Sequence, residues 1–326
     1  MSRGREIHNV VLSGGSYKGL SYIGVYQYLL ERDMTRHIRN FVGVSIGAVF
    51  ALLWFFEFSP KQMARIFRFI EWRRRHRIRS SLDTIPHIAK NYGLDDGRGF
   101  IDMFEAMLKR KTGITNITFK QLSEIYPMRT LRIGLFNISK CEFELAGADA
   151  TPDMPISLAL RISISLPVIF DPVEWRGDLW ADGGVINNMP LEYFDGDMEH
   201  TIAFDFVCES ELHLEPNSVG RMTLKYILGL MVGQNIYKKR LFKNSICTLR
   251  ASHKTAMEER EVGDIFDMFR FEFTQDMINK YANIGYSDVN TYFSGQLTGD
   301  SEYSIGTVIR HLIWTAIHNN KPITFC

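Results

Sequence analysis

Several things are scarce in this chain, and each scarcity excludes a class. Cysteine occurs four times in 326 residues, as Cys141, Cys208, Cys247 and Cys326, tens of residues apart. No pair has the spacing of a metal knuckle or a redox motif, and the pattern predicts free thiols in a reducing compartment. An excess of one charge is also missing, since 38 basic residues face 37 acidic ones. That balance argues against a surface built throughout for nucleic acid, and no nucleic-acid partner is expected. Long apolar runs are absent too: the longest covers 48–56, far short of the roughly 20 residues a bilayer crossing needs, and reads as a buried helix. The first six residues are polar and charged, and Val10-Val11-Leu12 is too short for a signal-peptide core, so a cytoplasmic location is expected. At 45% hydrophobic and 23% charged, the chain has material for a large core, which excludes disorder and fibrous structure.

The residues present run in an alternating order. Residues 9–12 form a short apolar run, 13–19 are rich in glycine, and 20–30 carry helical periodicity. Phe41-Val42 reads as a second strand, ended by Gly43-Val44-Ser45-Ile46-Gly47 and continued by the apolar run. Strand, helix, strand, helix within so few residues predicts a parallel sheet with right-handed crossovers. Further helices are expected over 99–109, 119–125 and 156–164, a strand over 131–136, and a last buried strand over 201–207. Beyond that the chain reads as mostly helical, most strongly over 222–243, where Leu224, Ile227, Leu228, Met231 and Ile236 suggest a face packed on the core. There is no repeat and no Pro/Ser-rich linker to mark a boundary.

The elbow at Gly43 to Gly47 carries the first chemistry. Gly-x-Ser-x-Gly lets a strand turn sharply into a helix and projects its serine, Ser45, toward a carbonyl. A helix beginning there also turns its positive end toward a developing oxyanion. A serine hydroxyl is a weak nucleophile until a neighbouring base takes its proton. Asp182, in Asp182-Gly183-Gly184, is the preferred base, because the glycines let other backbone approach it. The loop Ser13-Gly14-Gly15-Ser16-Tyr17-Lys18-Gly19 fits an oxyanion hole of backbone amides, whereas neither Gly-x-x-x-x-Gly-Lys-Ser/Thr nor Gly-x-Gly-x-x-Gly is present. His200 or His213 would be recruited only if the site ran an ordinary Ser-Asp-His triad. No metal ligand set and no cofactor motif is found.

Taken in order, these three motifs resemble the patatin-like phospholipase family. The resemblance also includes the stretch from Pro155 to Pro190, with Ser163, Ser165, Pro167, Phe170, Pro172 and Gly183-Gly184-Val185-Ile186-Asn187-Asn188-Met189-Pro190. It implies a three-layer α/β patatin-like fold with a mainly parallel central sheet and helices on both faces. It implies a catalytic core over 7–207, and the helical reading of the remainder makes 208–326 a mainly helical extension expected to pack on that core. It further implies a lipid acyl hydrolase of phospholipase A type, with Ser45 and Asp182 as a catalytic dyad and Gly14, Gly15 and Ser16 as the oxyanion hole. Lys18, Gly19, Gly43, Gly47, Gly183 and Gly184 support these motifs. One position departs from the family pattern: Ser16 stands where a third glycine is usual. Its amide serves equally well as long as φ there is not positive.

A lipid substrate implies contact with a membrane surface. Between 61 and 79 eight basic residues meet a single acid, Glu71, and are interleaved with Phe67, Phe69, Ile70 and Trp72. Arg73, Arg74 and Arg75 are therefore expected at an interface with anionic headgroups. Two other functions fit the motifs: a non-catalytic lipid-binding or interaction protein, and an esterase or thioesterase for soluble acyl substrates.

Overall fold

The structure is a computed structural model, and it describes residues 6–74, 92–93, 95–207, 219–251 and 273–295. Residues up to Asn290 form one compact unit and those from Thr291 another. The sheet and the site belong to the first.

Eight strands make one sheet: β1 (Asn9–Leu12), β2 (Asn40–Val44), β3 (Thr130–Asn137), β4 (Glu142–Ala146), β5 (Val173–Trp175), β6 (Asp178–Asp182), β7 (Thr201–Phe206) and β8 (Ile246–Leu249). Their order is β5-β6-β3-β2-β1-β7-β8, with β4 also paired to β3. The pairs β1/β2, β2/β3, β1/β7 and β7/β8 are parallel, and β3/β4, β3/β6 and β5/β6 antiparallel. The expected mainly parallel α/β sheet is therefore present.

The helices are α1 (Ser21–Glu31), α2 (Ile46–Phe55), α3 (Pro60–Arg74), α4 (Arg98–Thr112), α5 (Phe119–Ile125), α6 (Ile156–Ser163), α7 (Gly184–Asn187), α8 (Val219–Leu241) and α9 (Gln275–Phe293). Local sequence explains several of their ends. Proline opens α3, where its missing N–H costs nothing. A capping box starts α5, with the Thr118 hydroxyl accepting from the Gln121 amide and the Gln121 side chain accepting from the Thr118 amide.

Side chains alternate across the sheet as a period of two requires. On one face Val11, Val42, Ala203 and Ile246 pack with Met189, Leu191 and Phe194. On the other, Phe41 meets Phe55, and Phe204 meets Trp54, so α2 lies on that face against β2 and β7. With both faces covered, β1 and β7 are buried along their whole length. Helix α2 is apolar throughout and almost wholly buried, as its sequence suggested.

A polar row sets the register at the strands' N-terminal ends. Asn9 pairs in register with Asn40 and Thr201, and Asn40 with Thr130. Their side chains continue the ladder: Asn9 Nδ2 donates to Asp197 Oδ2 (2.8 Å), Asn40 Nδ2 to Asn9 Oδ1 (2.6 Å), and Thr130 Oγ1 to Asn40 Oδ1 (2.6 Å). A slip of one residue would turn every apolar side chain to the wrong face.

The strand over 201–207 is not the last, contrary to the sequence reading. Ile246–Leu249 adds a parallel edge strand beside β7. Four residues are too few for a period-two signal, and pairing with β7 supplies what local sequence does not. Cys247 on this strand is buried and Cys141 is exposed, both as free thiols. Cys208 and Cys326 lie outside the described residues.

Candidate active site

Two strand ends bring the site together. Strand β2 is parallel to β3, with Val44 opposite Gly134, while β6 runs the other way, with Asp182 opposite Leu135. Strand β4 pairs with residues 133–137 of β3 and so occupies the opposite edge. Hence β2 and β6 share one edge of β3 and approach each other end to end. The residue after Val44 and the last residue of β6 meet there, although 137 positions separate them in the sequence.

Ser45 forms the elbow. It stands at φ 56, ψ −129 immediately before α2, a conformation rarely held by a residue with a side chain. Its amide donates to Ser163 Oγ (2.9 Å), and that hydroxyl donates to the Gly134 carbonyl (2.8 Å). Helix α6 thus braces the turn from β3. Gly47 lies against the Leu12 and Ser13 carbonyls, and Gly43 against the Gly47 carbonyl, so a Cβ at either would collide with backbone.

Asp182 is fully buried as the last residue of β6. Its amide donates to the Ser165 carbonyl (3.1 Å), and its Oδ1 accepts from the Gly184 amide (2.8 Å). No well-formed hydrogen bond reaches Oδ2 among the described residues. Burial pushes the carboxyl up to about 7, against opposing pulls from the Ser45 hydroxyl and the Gly184 amide. The carboxylate is therefore next to the serine and has one oxygen uncommitted.

Beside this pair lies the glycine-rich loop. Ser13 is anchored by its amide to the Phe204 carbonyl (3.1 Å) and by the Tyr22 hydroxyl, which donates to its carbonyl (2.8 Å). The Gly14 amide donates to Asn188 Oδ1 (3.0 Å), and Asn188 Nδ2 donates to the Gly14 carbonyl (3.1 Å). Gly14 is thus held by a side-chain clamp, with a Cβ there falling 2.8 Å from Ser45 Cβ. The amides of Gly15 and Ser16 have no acceptor among the described residues. Ser16 has φ +53, so the condition set by the sequence is not met: a side chain occupies a left-handed position. Its hydroxyl is also buried without a partner among the described residues. Lys18 is buried with its ammonium 5.4 Å from the centre of the Phe206 ring, which also lies under Gly15. Gly19 packs on Ile46, Gly183 on the Gly134 backbone, and Gly184 beside Asn188 and Met231.

Other expectations separate from this centre. His200 precedes β7 and stands beside the N-terminal ends of the strands, across the sheet from Ser45. It cannot serve there as the base. Its Nδ1 meets Asp197 Oδ1 at 2.6 Å, and its ring stacks on His8 at 4.4 Å and 11°. His8, Asp197 and His200 each bring a possible ligand atom within 4.8 Å of the others, a grouping that the sequence reading of no metal ligand set did not contain. His213 and Arg75 lie outside the described residues, and Arg73 and Arg74 are the last residues of α3.

The sequence motifs contain Asn188 and Ser163 without giving either a role, and they do not point to Tyr22, Phe206 or Met231. Only their spatial neighbours reveal them. Arg161 belongs with these: buried, it donates to the Asp96 carbonyl (3.1 and 2.9 Å), to the Asp171 carbonyl (3.0 Å) and to the Ser165 hydroxyl. It ties together the segment that holds the Asp182 amide.

Comparison with known proteins places this arrangement. The model of the family described as patatin-like phospholipase matches residues 10–195. An uncharacterized protein of Acanthamoeba polyphaga mimivirus is 29% identical over 207 residues, 63% of this chain and 67% of that one. A probable lipid hydrolase of Invertebrate iridescent virus 6 is 28% identical over 186 residues, 56% of this chain and 61% of its own length. Among solved structures, VipD from Legionella pneumophila superposes with a TM-score of 0.51 at 16% identity, covering 89% of this chain and 67% of that one. ExoU in its complex with SpcU from Pseudomonas aeruginosa gives 0.50 at 16%, covering 91% and 53%. These structures share the fold, and this chain spans only about half of the second.

Proposed function

The chain belongs to the patatin-like phospholipase family, and on that premise we propose that it is a lipid acyl hydrolase of phospholipase A type working through a Ser45/Asp182 dyad. The observation that carries this reading is a serine at a strand-to-helix elbow beside a buried carboxylate whose pKa is raised to about 7.

In this mechanism Asp182 Oδ2 takes the proton as Ser45 Oγ attacks the ester carbonyl carbon. The carbonyl π pair moves onto oxygen, where the amides of Gly15 and Ser16 receive it with help from the N-terminal end of α2. Gly14 acts through Asn188 to hold the loop and does not donate to the oxyanion. Collapse of the intermediate breaks the bond to the alcohol, which leaves with the proton from Asp182, and acyl-Ser45 remains. Water, deprotonated by Asp182, attacks the acyl carbon; release of the fatty acid returns the proton to Ser45. One carboxylate serves both steps because its pKa lies near the working pH. The protein would collect substrate peripherally at a membrane, since no described helix is long and apolar enough to cross one.

A second reading has its own support. Ser16 at φ +53 strains the loop that carries the oxyanion amides, as expected of a lipid-binding protein that has lost turnover. Fatty-acid release from mixed phospholipid vesicles, compared between wild type and Ser45→Ala with circular dichroism on both, separates the two. Release abolished in the variant is the expected result. No release from the folded wild type, with vesicle binding intact, would select the lipid-binding reading. A fluorophosphonate label that persists in Ser45→Ala would move the nucleophile elsewhere.

A further inference from the structure

Helix α8 has two unlike faces. The inner one is fastened to the segment just after Asp182. Met231 Cε lies 2.8 Å from where a Cβ on Gly184 would be, and Gly184 is the residue whose amide holds Asp182. Asn235 Nδ2 donates to Asp205 Oδ1 (2.9 Å). Lys238 Nζ reaches Asn187 Oδ1 (2.5 Å), the Met189 carbonyl (2.7 Å) and Glu192 Oε2 (2.7 Å). These contacts occupy the inner face and leave a second set of large side chains with no role in the fold.

That second set points to solvent. Tyr226 is 66% exposed, Leu230 62%, Tyr237 60%, Leu241 57% and Met222 37%. At 3.6 residues per turn these five positions fall within an arc of about 100°. Ile186 on α7, which packs against α8, is exposed as well. A helix whose only task was to cover the sheet would carry polar residues there.

Charge identifies the occupant. From Val219 to Leu241 there is no aspartate or glutamate, while Arg221, Lys225, Lys238, Lys239 and Arg240 are basic and Lys243 comes shortly after. Lys238 and Lys239 are engaged with Glu192 and Asp205, and the Arg240 and Lys243 side chains reach the surface near the C-terminal end of the helix. A second copy of this chain meeting the same face about a two-fold axis would set basic helix against basic helix. An anionic bilayer meets both features, accepting the Leu and Tyr side chains at the acyl boundary and the cations among its headgroups.

We propose that the outer face of α8, extended by Ile186, is the surface by which this protein lies on anionic membranes, with the Ser45/Asp182 site directly behind it. The choice of a lipid surface rests on the acyl-hydrolase reading above. A helix anchored close to Asp182 through Gly184 aligns the acyl ester as it leaves the bilayer.

The test uses the full chain with Ser45→Ala, so that vesicles stay intact, and measures flotation with vesicles of phosphatidylcholine alone or with about 30% phosphatidylserine. The parent binds the anionic vesicles preferentially. Adding Leu230→Glu and Tyr237→Glu weakens that binding at least about tenfold. With Ser45 restored, the same two substitutions leave hydrolysis of a short soluble p-nitrophenyl ester unchanged, which shows an intact fold and site. Unchanged vesicle affinity in the double variant overturns the proposal, as does a parent that binds neither vesicle. A wild-type dimer that the substitutions dissolve also overturns it, in favour of a homotypic interface. If the wild type cleaves no ester while vesicle binding falls as expected, the hydrolase reading fails and the docking surface stands.

Discussion

In the proposed mechanism Asp182 acts as a base from a position where its own charge is unfavourable, and this shapes both rate and stability. Its carboxyl titrates near 7, so kcat/KM should rise with pH through about 7 and level off above it. Stability runs the opposite way. The folded protein keeps the proton up to about 7, whereas the unfolded chain releases it near the ordinary carboxyl value of 3.8, so stability falls as pH rises between these values. Asp182→Asn removes the titrating group. It should abolish turnover and melt above the wild type at about pH 8, with the difference closing by about pH 4; melting curves across that range check both the sign and the window. An equally stable variant at high pH would mean that the charge is better solvated than its burial indicates. Ser16 holds its side chain in a left-handed backbone conformation. Ser16→Gly should add about 1 kcal/mol by denaturant titration, relieving the left-handed serine, while esterase activity is kept. Loss of activity would give the buried hydroxyl a catalytic part.

The braces between elements matter as much as the reacting atoms. Ser163 on α6 links the Ser45 amide to the Gly134 carbonyl on β3. Ser163→Ala leaves a buried donor and a buried acceptor unpaired, at a cost of about 1–3 kcal/mol, and relaxes the elbow. The expected kinetic signature is a fall in kcat with KM little changed, because substrate binding does not use this hydroxyl. A second brace joins α1 to α9. Gly24 lies against the Ala282 carbonyl and Gly285 against the Ser21 carbonyl, while the Tyr286 hydroxyl donates to Glu31 (2.7 Å). Only residues without a Cβ allow backbones this close. Gly285→Leu should therefore destabilise the fold by more than about 3 kcal/mol and lower the midpoint of unfolding sharply. Asn283→Ala, on the exposed side of α9, should change it little.

At the scale of the whole molecule, the sheet places its two ends at different tasks. The N-terminal ends carry the Asp197-Asn9-Asn40-Thr130 row that sets register, together with the stacked His8 and His200. The C-terminal ends hold the candidate site, where β2 and β6 meet on one edge of β3. The chain beyond Val207 shares in this architecture: β8 covers the edge of β7, and α8 and α9 pack on residues before Val207. A chain stopped after Val207 would expose the β7 edge, the Asp205 carboxylate and the α1 glycine surface together. It should be insoluble or aggregate on expression, and a monomeric, cooperatively melting fragment would show that 7–207 folds alone.

Much of this protein is legible without tertiary structure. The elbow around Ser45, the glycine-rich loop and the Asp182-Gly183-Gly184 turn are short motifs whose chemistry is local, and the apolar runs of β1, β2, β7 and α2 announce buried elements. The family can be read from those motifs in that order. Asn188 and Ser163 carry no local signal of their roles, since each acts on a residue far away in the chain, Gly14 and Ser45 respectively, and Met231, legible only as part of an apolar face, meets Gly184. The pKa of Asp182 depends on burial at the end of a strand, and the left-handed Ser16 on the loop's closure against Phe206. Strand β8 exists because β7 has an edge to pair. A sequence states directly what each residue does with its near neighbours, while burial, register and the meeting of distant strand ends arise only when the chain closes on itself.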